Sequence, residues 1–257
     1  MHPVLFTLPG GMSIYGYGFM LSLGILTAVF GAAFTASRDG VPTTRLYDLG
    51  IISFVLGVLG GRLEYVRTHW FDKFAADPMS AFDLRDGGYV FYGGLVLAVI
   101  GCAMWTRRHK LDFAKIGDHV APWIGVGICG ARLGCFLVGC CYGCPSDVPW
   151  AVTFPDEAIA PPDIARHPTQ LYEAGFAAFV LFGGLSFFRV RMQRFEGEVL
   201  ALFGVLYGCW RIFVETLRCD GERGYAIDGL LTNGQFTSIF LILVAAGWGV
   251  YAWRRRK

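Results

Sequence analysis

Apolar residues fill seven long runs, near 13–36, 46–66, 88–106, 116–139, 168–188, 198–217 and 235–253. Each is close to the roughly 20 residues that a bilayer-crossing helix needs. Within each run the apolar residues are continuous, which predicts helices; the strands of a membrane barrel are shorter and alternate. The runs use most of the chain. The expected fold class is therefore all-α, a polytopic membrane protein of about seven transmembrane helices, with residues 1–257 forming a single integral membrane domain.

Composition agrees with the pattern. The 257 residues are 54% hydrophobic and only 16% charged, with a mean hydropathy of +0.49, against about 25% charged in an ordinary soluble domain. Residues 1–11 lack the basic segment of a secretory signal and are expected to be retained. Of the 22 Lys and Arg residues, those in alternate connections and at the C-terminus dominate: Arg38 and Arg45, then Arg107, Arg108, Lys110 and Lys115, then Arg189, Arg191 and Arg194, and last Arg254 to Lys257. The other connections hold Arg67, Lys73, Arg85, Arg166, Arg218 and Arg223. Basic residues accumulate on the cytoplasmic side, so the N-terminus is expected outside and the C-terminus inside. These clusters read as topology signals and not as a nucleic-acid surface.

Three arginines remain inside apolar runs: Arg62, Arg132 and Arg211. Each costs at least about 2.5–3.5 kcal/mol on insertion scales, so such residues are paired or functional. Arg62 and Glu64 are two residues apart and do not share a helix face, which predicts different partners for the two. Arg132 ends a run seamed with Gly125, Gly127, Gly130, Gly134 and Gly139. Small residues allow close helix packing, so this helix is expected at the bundle centre with Arg132 turned to protein or to a water-filled cavity. Arg132 and Arg211 each lie about 10 Å from the outer end of their runs at about 1.5 Å per residue. Two guanidinium groups at one depth repel unless an anion separates them, which predicts an anionic ligand.

Other polar residues gather at the same end. The proline-rich outside loop 140–167 is long enough to suggest a lid, and it leads into His167, Gln170 and Glu173 at the mouth of the fifth run. Gln170 and Glu173 fall on one side of a helix starting there. Tyr17 stands at the outer start of the first run, and Tyr92 follows the glycine-rich Asp86-Gly87-Gly88 stretch. Glu215 follows Arg211 by four residues and precedes Arg218 by three, so one helix face reads Arg, Glu, Arg.

The eight cysteines include Cys135, Cys140, Cys141 and Cys144, a C-x4-C-C-x2-C pattern. Zinc sites prefer two separated C-x2-C pairs, so no metal and no cofactor are expected from spacing. In an oxidising outer compartment a disulfide involving Cys140, Cys141 or Cys144 is the expectation. Cys135, three residues after Arg132, is a candidate reactive thiolate.

With these residues in view, the sequence resembles the prolipoprotein diacylglyceryl transferases of bacteria over nearly its whole length. The resemblance rests on Tyr17-Gly18-Phe19-Met20, Gly60-Gly61-Arg62, Asp86-Gly87-Gly88 with Gly93-Gly94-Leu95, Arg132-Leu133-Gly134-x-Phe136, His167-Pro168-x-Gln170-Leu171-Tyr172-Glu173 and Gly208-x-x-Arg211-x-x-Val214-Glu215-x-x-Arg218, in that order. It implies a multi-pass enzyme of the bacterial inner (cytoplasmic) membrane. Its partners would be membrane phosphatidylglycerol and prolipoprotein signal peptides: a diacylglyceryl group passes from the lipid to the lipobox cysteine, and glycerol phosphate leaves. Carried over by position, Arg132 would bind the lipid headgroup, Arg211 would stabilise the leaving phosphate, and Tyr17, Glu215, His167, Gln170 and Glu173 would shape the cavity. This chain departs from the family pattern in the middle of the site, with Cys135 and Val138 in place of Asn, Cys140 in place of Glu, and Tyr92 in place of the histidine suited to activating a thiol. Two alternatives follow: a divergent lipid transferase with another acceptor or a Cys-linked intermediate, and a non-catalytic anionic-lipid transporter, which would carry an internal repeat.

Overall fold

The computed structural model describes residues 4–7, 13–75, 77–83, 88–220, 224–227 and 230–256. Helices occupy all seven apolar runs: α1 (Gly16–Ser37), α2 (Thr43–Thr68), α3 (Phe91–Arg108), α4 (Phe113–Val138), α5 (Thr169–Arg191), α6 (Glu198–Glu215) and α7 (Asn233–Arg255). Of these, α1, α2, α4, α5 and α7 are long and apolar enough to cross a membrane. The 18-residue α3 ends in Arg107 and Arg108, and the 18-residue α6 carries Glu198, Arg211 and Glu215, which lowers the apolar character of both. Two short helical turns, Trp70–Phe74 and Pro78–Phe82, and two short hairpins, β1 (Val4–Thr7) with β2 (Ser13–Tyr15) and β3 (Tyr225–Ile227) with β4 (Leu231–Thr232), complete the described elements. Asp86 and Gly87 of the glycine-rich motif, with Arg85 and Arg223, lie outside the described residues.

The chain divides into two compact units, residues 1–32 with 114–257 and residues 33–113. In the first, Gly130 and Gly134 of the predicted seam pack against α1, while Gly125 packs against α5 and Gly139 against the loop that follows α4. A Cβ on Gly130 would lie 2.7 Å from the Met20 carbonyl oxygen and 2.9 Å from Gly24 Cα, and one on Gly134 would lie 3.1 Å from Tyr17 Cα. The approach at Gly130 needs glycine, and the close contact at Gly134 sets Tyr17 beside the C-terminal end of α4. Across α4, Ala121 joins Ala177, Leu181 and Leu185 of α5 and Val199 of α6 in a buried core.

Asp118, which no sequence motif singles out, secures this packing at the N-terminal end of α4. It is buried on α4 and accepts hydrogen bonds from Leu200 N (2.9 Å), Gly197 N and Gln193 Nε2 (2.6 Å). A carboxylate thereby satisfies the orphan amides at the start of α6, where the helix dipole favours negative charge. Gly197 sits at φ +91°, a backbone region that favours glycine. The rod α5 is π-helical over Ala177–Gly184. At the start of α7, Thr232 and Gln235 form a capping box.

The second unit is built on the α2–α3 pair. As predicted, Arg62 and Glu64 take different partners. Arg62 is 5% exposed and donates to the carbonyls of Asp83 (2.7 Å), Ala81 (3.0 Å) and Ser80 (3.1 Å), tying the short turn Pro78–Phe82 onto α2. Glu64 instead accepts from Arg67. Around that turn Phe71, Met79 and Phe82 point away from the unit, the pattern expected of an interfacial segment.

Candidate functional site

The site lies in the first unit, where α4, α5 and α6 present charged side chains to one another. Arg132 Nε is 2.6 Å from Glu173 Oε2, and Arg211 Nη1 donates to Glu173 Oε1 at 2.7 Å. Arg211 Nη2 donates to Glu215 Oε2 at 2.9 Å, and Arg218 Nη1 approaches the same oxygen at 4.0 Å. Glu173 and Glu215 are almost fully buried, while the side chains of Arg132 and Arg211 keep 17% and 14% of their surface. The result is an alternating ladder, Arg132, Glu173, Arg211, Glu215. The group that lies between the two arginines is a carboxylate of the chain itself, Glu173.

Geometry within the ladder is uneven. The Arg132–Glu173 contact is close, but Glu173 Oε2 receives no well-aligned hydrogen bond among the described residues. Arg132 is held by the Glu173 carboxylate at 2.6 Å and by a side-chain hydrogen bond with Tyr207. Arg211 makes two aligned bonds and is the more fixed of the pair.

Loop 140–167 is anchored over this end of the unit. Cys144 is joined to Cys219 by a disulfide, so the expected bond exists and its partner is a cysteine that spacing alone leaves unassigned. Gly143 pairs with Arg218, and Pro145 and Val152 both pair with Arg166. Arg218 is held by Asp220, with Nε to Oδ1 at 3.1 Å. Burial opposes its charge, but Asp220 and Cys141 keep its pKa above the usual arginine value.

The remaining predicted residues separate by role. Gln170 Nε2 donates to the Cys140 carbonyl (2.7 Å), and Thr169, which sequence reasoning missed, donates through Oγ1 to the Cys141 carbonyl (2.8 Å). Gln170 Oε1 is buried without a hydrogen-bond partner among the described residues. His167 turns to the Tyr172 hydroxyl (3.1 Å), which also accepts from Trp150, so it braces the loop. Tyr17 lies within electrostatic reach of Arg132, Cys135, Cys140 and Cys141. Tyr92 belongs to the second unit, as the second residue of α3, and is 41% exposed there.

Beside Arg132 the thiols of Cys135, Cys140 and Cys141 converge, with all three Sγ atoms within 4.8 Å of one another. Cys135 is buried on α4, and Cys141 adopts φ +60°, a strained conformation for a residue with a side chain. The S–H groups of Cys135 and Cys140 hydrogen-bond to Cys141, and Arg218 and Arg132 add their charge. These partners hold the Cys141 pKa well below that of an ordinary thiol.

This arrangement pairs an ion-rich mouth with a membrane protein's apolar helices, and comparison with known proteins places it. Residues 3–251 match the family described as prolipoprotein diacylglyceryl transferase. The chain belongs to that family. A phosphatidylglycerol–prolipoprotein diacylglyceryl transferase of Clostridium tetani is 35% identical over 95% of both chains. That of Vibrio vulnificus is 37% identical over 99% of this chain and 92% of its own, and one designated transferase 2 in Clostridium perfringens is 31% identical over 91% and 89%.

Proposed function

We infer that this chain transfers the diacylglyceryl group of phosphatidylglycerol to the lipobox cysteine of a prolipoprotein, releasing glycerol phosphate. It acts as a seven-span enzyme of the bacterial inner membrane, with its N-terminus and the ladder at the outer face. The observation that carries the reading is the pair Arg132 and Arg211 around Glu173, in a chain similar to such transferases over nearly its whole length. Displacement at the glycerol carbon expels a phosphate ester whose charge grows as the bond breaks. Preorganised cations in a dry site stabilise that charge best.

The two arginines divide the work as their geometry suggests. Arg132, without an aligned partner on Glu173, exchanges toward the incoming headgroup. Arg211, fixed by Glu173 and Glu215, waits for the leaving phosphate. Glu215 and Glu173 position it, Tyr17 and Gln170 line the mouth, and His167 holds loop 140–167 as the lid. An apolar groove of about 240 Å³ runs along α4 through Val126, Cys129, Gly130 and Leu133, faced by Met20 and Phe182. It begins one residue from Arg132 and suits an acyl chain.

The test is complementation. Cells depleted of their own transferase and expressing this chain should recover lipoprotein modification. Arg132→Ala and Arg211→Ala, inserted normally, should not restore it. Failure of the intact, correctly inserted protein in a matched host would reject the reading.

A further inference from the structure

The displacement needs an acceptor thiolate, and the ladder offers no base to make one. Both oxygens of Glu173 face arginines, Glu215 bonds Arg211 and Thr232, and His167 Nδ1 faces the Tyr172 hydroxyl. What the same mouth does hold is three thiols whose Sγ atoms lie within 4.8 Å of one another. Sulfur ligands about 2.3 Å from a tetrahedral zinc ion lie about 3.8 Å apart. The trio is thus within about 1 Å of a three-thiolate metal site, whereas a disulfide would need sulfurs about 2 Å apart.

The backbone holds the thiols together from outside the cluster. Gln170 and Thr169 clamp the carbonyls of Cys140 and Cys141, and the amides of Gly139 and Cys140 both donate to the Cys135 carbonyl at 2.8 and 3.1 Å. These contacts keep Cys141 in its left-handed conformation. Charge also fits. Three thiolates around a divalent cation carry a net −1, and Arg132 and Arg218 both lie within electrostatic reach of Cys141.

We propose that Cys135, Cys140 and Cys141 bind a thiophilic divalent cation of the zinc class, whose open fourth position takes the cysteine thiol of the acceptor protein. The second half of this proposal rests on the transferase reading. Three protein ligands with one open position are the usual form of a catalytic zinc site, and a thiol that coordinates such an ion loses its proton. The proton passes to water. The bound thiolate then attacks the glycerol carbon: a C–S bond forms, the C–O bond to phosphate breaks, and its electron pair leaves on glycerol phosphate. No oxidant or reductant enters.

The experiment uses the full chain, purified in detergent with reductant and without chelator. We expect one zinc per chain by elemental mass spectrometry. Added Zn²⁺ should protect Cys135, Cys140 and Cys141 from alkylation, while the reaction of Cys209, which lies outside the trio, should be unchanged by the metal. The Cys135→Ser/Cys140→Ser/Cys141→Ser variant should lose the metal. Co²⁺ in place of zinc should show sulfur charge-transfer bands that shift on adding a lipobox peptide with cysteine and not with serine. Substoichiometric metal in the folded protein, a disulfide within the trio, or alkylation of all three cysteines unchanged by Zn²⁺ would overturn the site, whether or not the triple variant folds. Transfer by a metal-free preparation would overturn the proposal while leaving the transferase reading intact. Metal uptake by a preparation with no transfer would keep the site and overturn its assignment to the acceptor thiol.

Discussion

Two buried arginine sites in this chain have opposite designs. Arg62, in the unit of residues 33–113, donates to the carbonyls of Ser80, Ala81 and Asp83 and keeps 5% of its surface. Arg132 and Arg211, in the other unit, face carboxylates and keep 17% and 14% of their side-chain surface. A carbonyl is a fixed dipole that cannot leave its arginine without moving the backbone. A carboxylate is a side chain whose charge a phosphate can replace. The first design holds a turn in place, and the second holds a positive charge in readiness.

The largest effect expected from this contrast is on stability. Arg62→Ala removes the donor that ties the carbonyls of Ser80, Ala81 and Asp83 to α2, a loss of about 3–4.5 kcal/mol at about 1–1.5 kcal/mol for each hydrogen bond. Thermal unfolding of the purified variant should show it as a much lower Tm, with an unchanged KM for lipid in whatever protein stays folded. Arg211→Lys, which keeps a cation beside the buried Glu173 and Glu215, should behave in the reverse way. Losing one of the preorganised guanidinium donors costs transfer about 10²–10³-fold, or about 2.7–4 kcal/mol of barrier. A large fall in kcat with nearly normal Tm would sharpen the contrast. A collapse of Tm matching that of Arg62→Ala would break it, because Arg211 would then be holding the fold.

The disulfide offers a third test. Cys144 and Cys219 are 75 residues apart, and joining them restricts the unfolded chain by about 3–4.7 kcal/mol in the entropic account. Cys144→Ser should lower the Tm, and dithiothreitol should lower the wild-type Tm to the same value. Arg62 lies in the other unit, so the Cys144→Ser and Arg62→Ala losses should add within about 0.5 kcal/mol. Strong non-additivity would join the two regions into one cooperative structure.

The positions of all three arginines are legible in the sequence, because a charge in an apolar run is costly wherever it occurs. The glycine seam likewise marks α4, since small residues matter most where helices meet. Partners are harder to read. Glu173 belongs to α5 and wedges between arginines of α4 and α6, a relation among three helices that no spacing encodes. The convergence of Cys135, Cys140 and Cys141 depends on the left-handed turn at Cys141, and Cys spacing alone argues against a metal. Asp118 is harder still, because an isolated acidic residue in an apolar run looks the same whether it caps a helix or lines a site.

The subtlest prediction concerns Glu173. Glu173→Gln preserves shape and most hydrogen bonding but leaves Arg132 and Arg211 facing each other across a neutral group. Inorganic phosphate should then bind between them and stabilise the folded state, by about 1.4 kcal/mol at ten times its dissociation constant. Phosphate should raise the Tm of Glu173→Gln distinctly more than that of the wild type, in which Glu173 already occupies the position. Glu64→Gln supplies the control from the other unit: Glu64 pairs with the 71%-exposed Arg67, where solvent already screens the charge, so phosphate should leave its Tm unchanged. Equal phosphate responses in all three proteins would mean that the ladder arginines have no exchangeable anion position. The two arginine designs would then differ only in the partners they use.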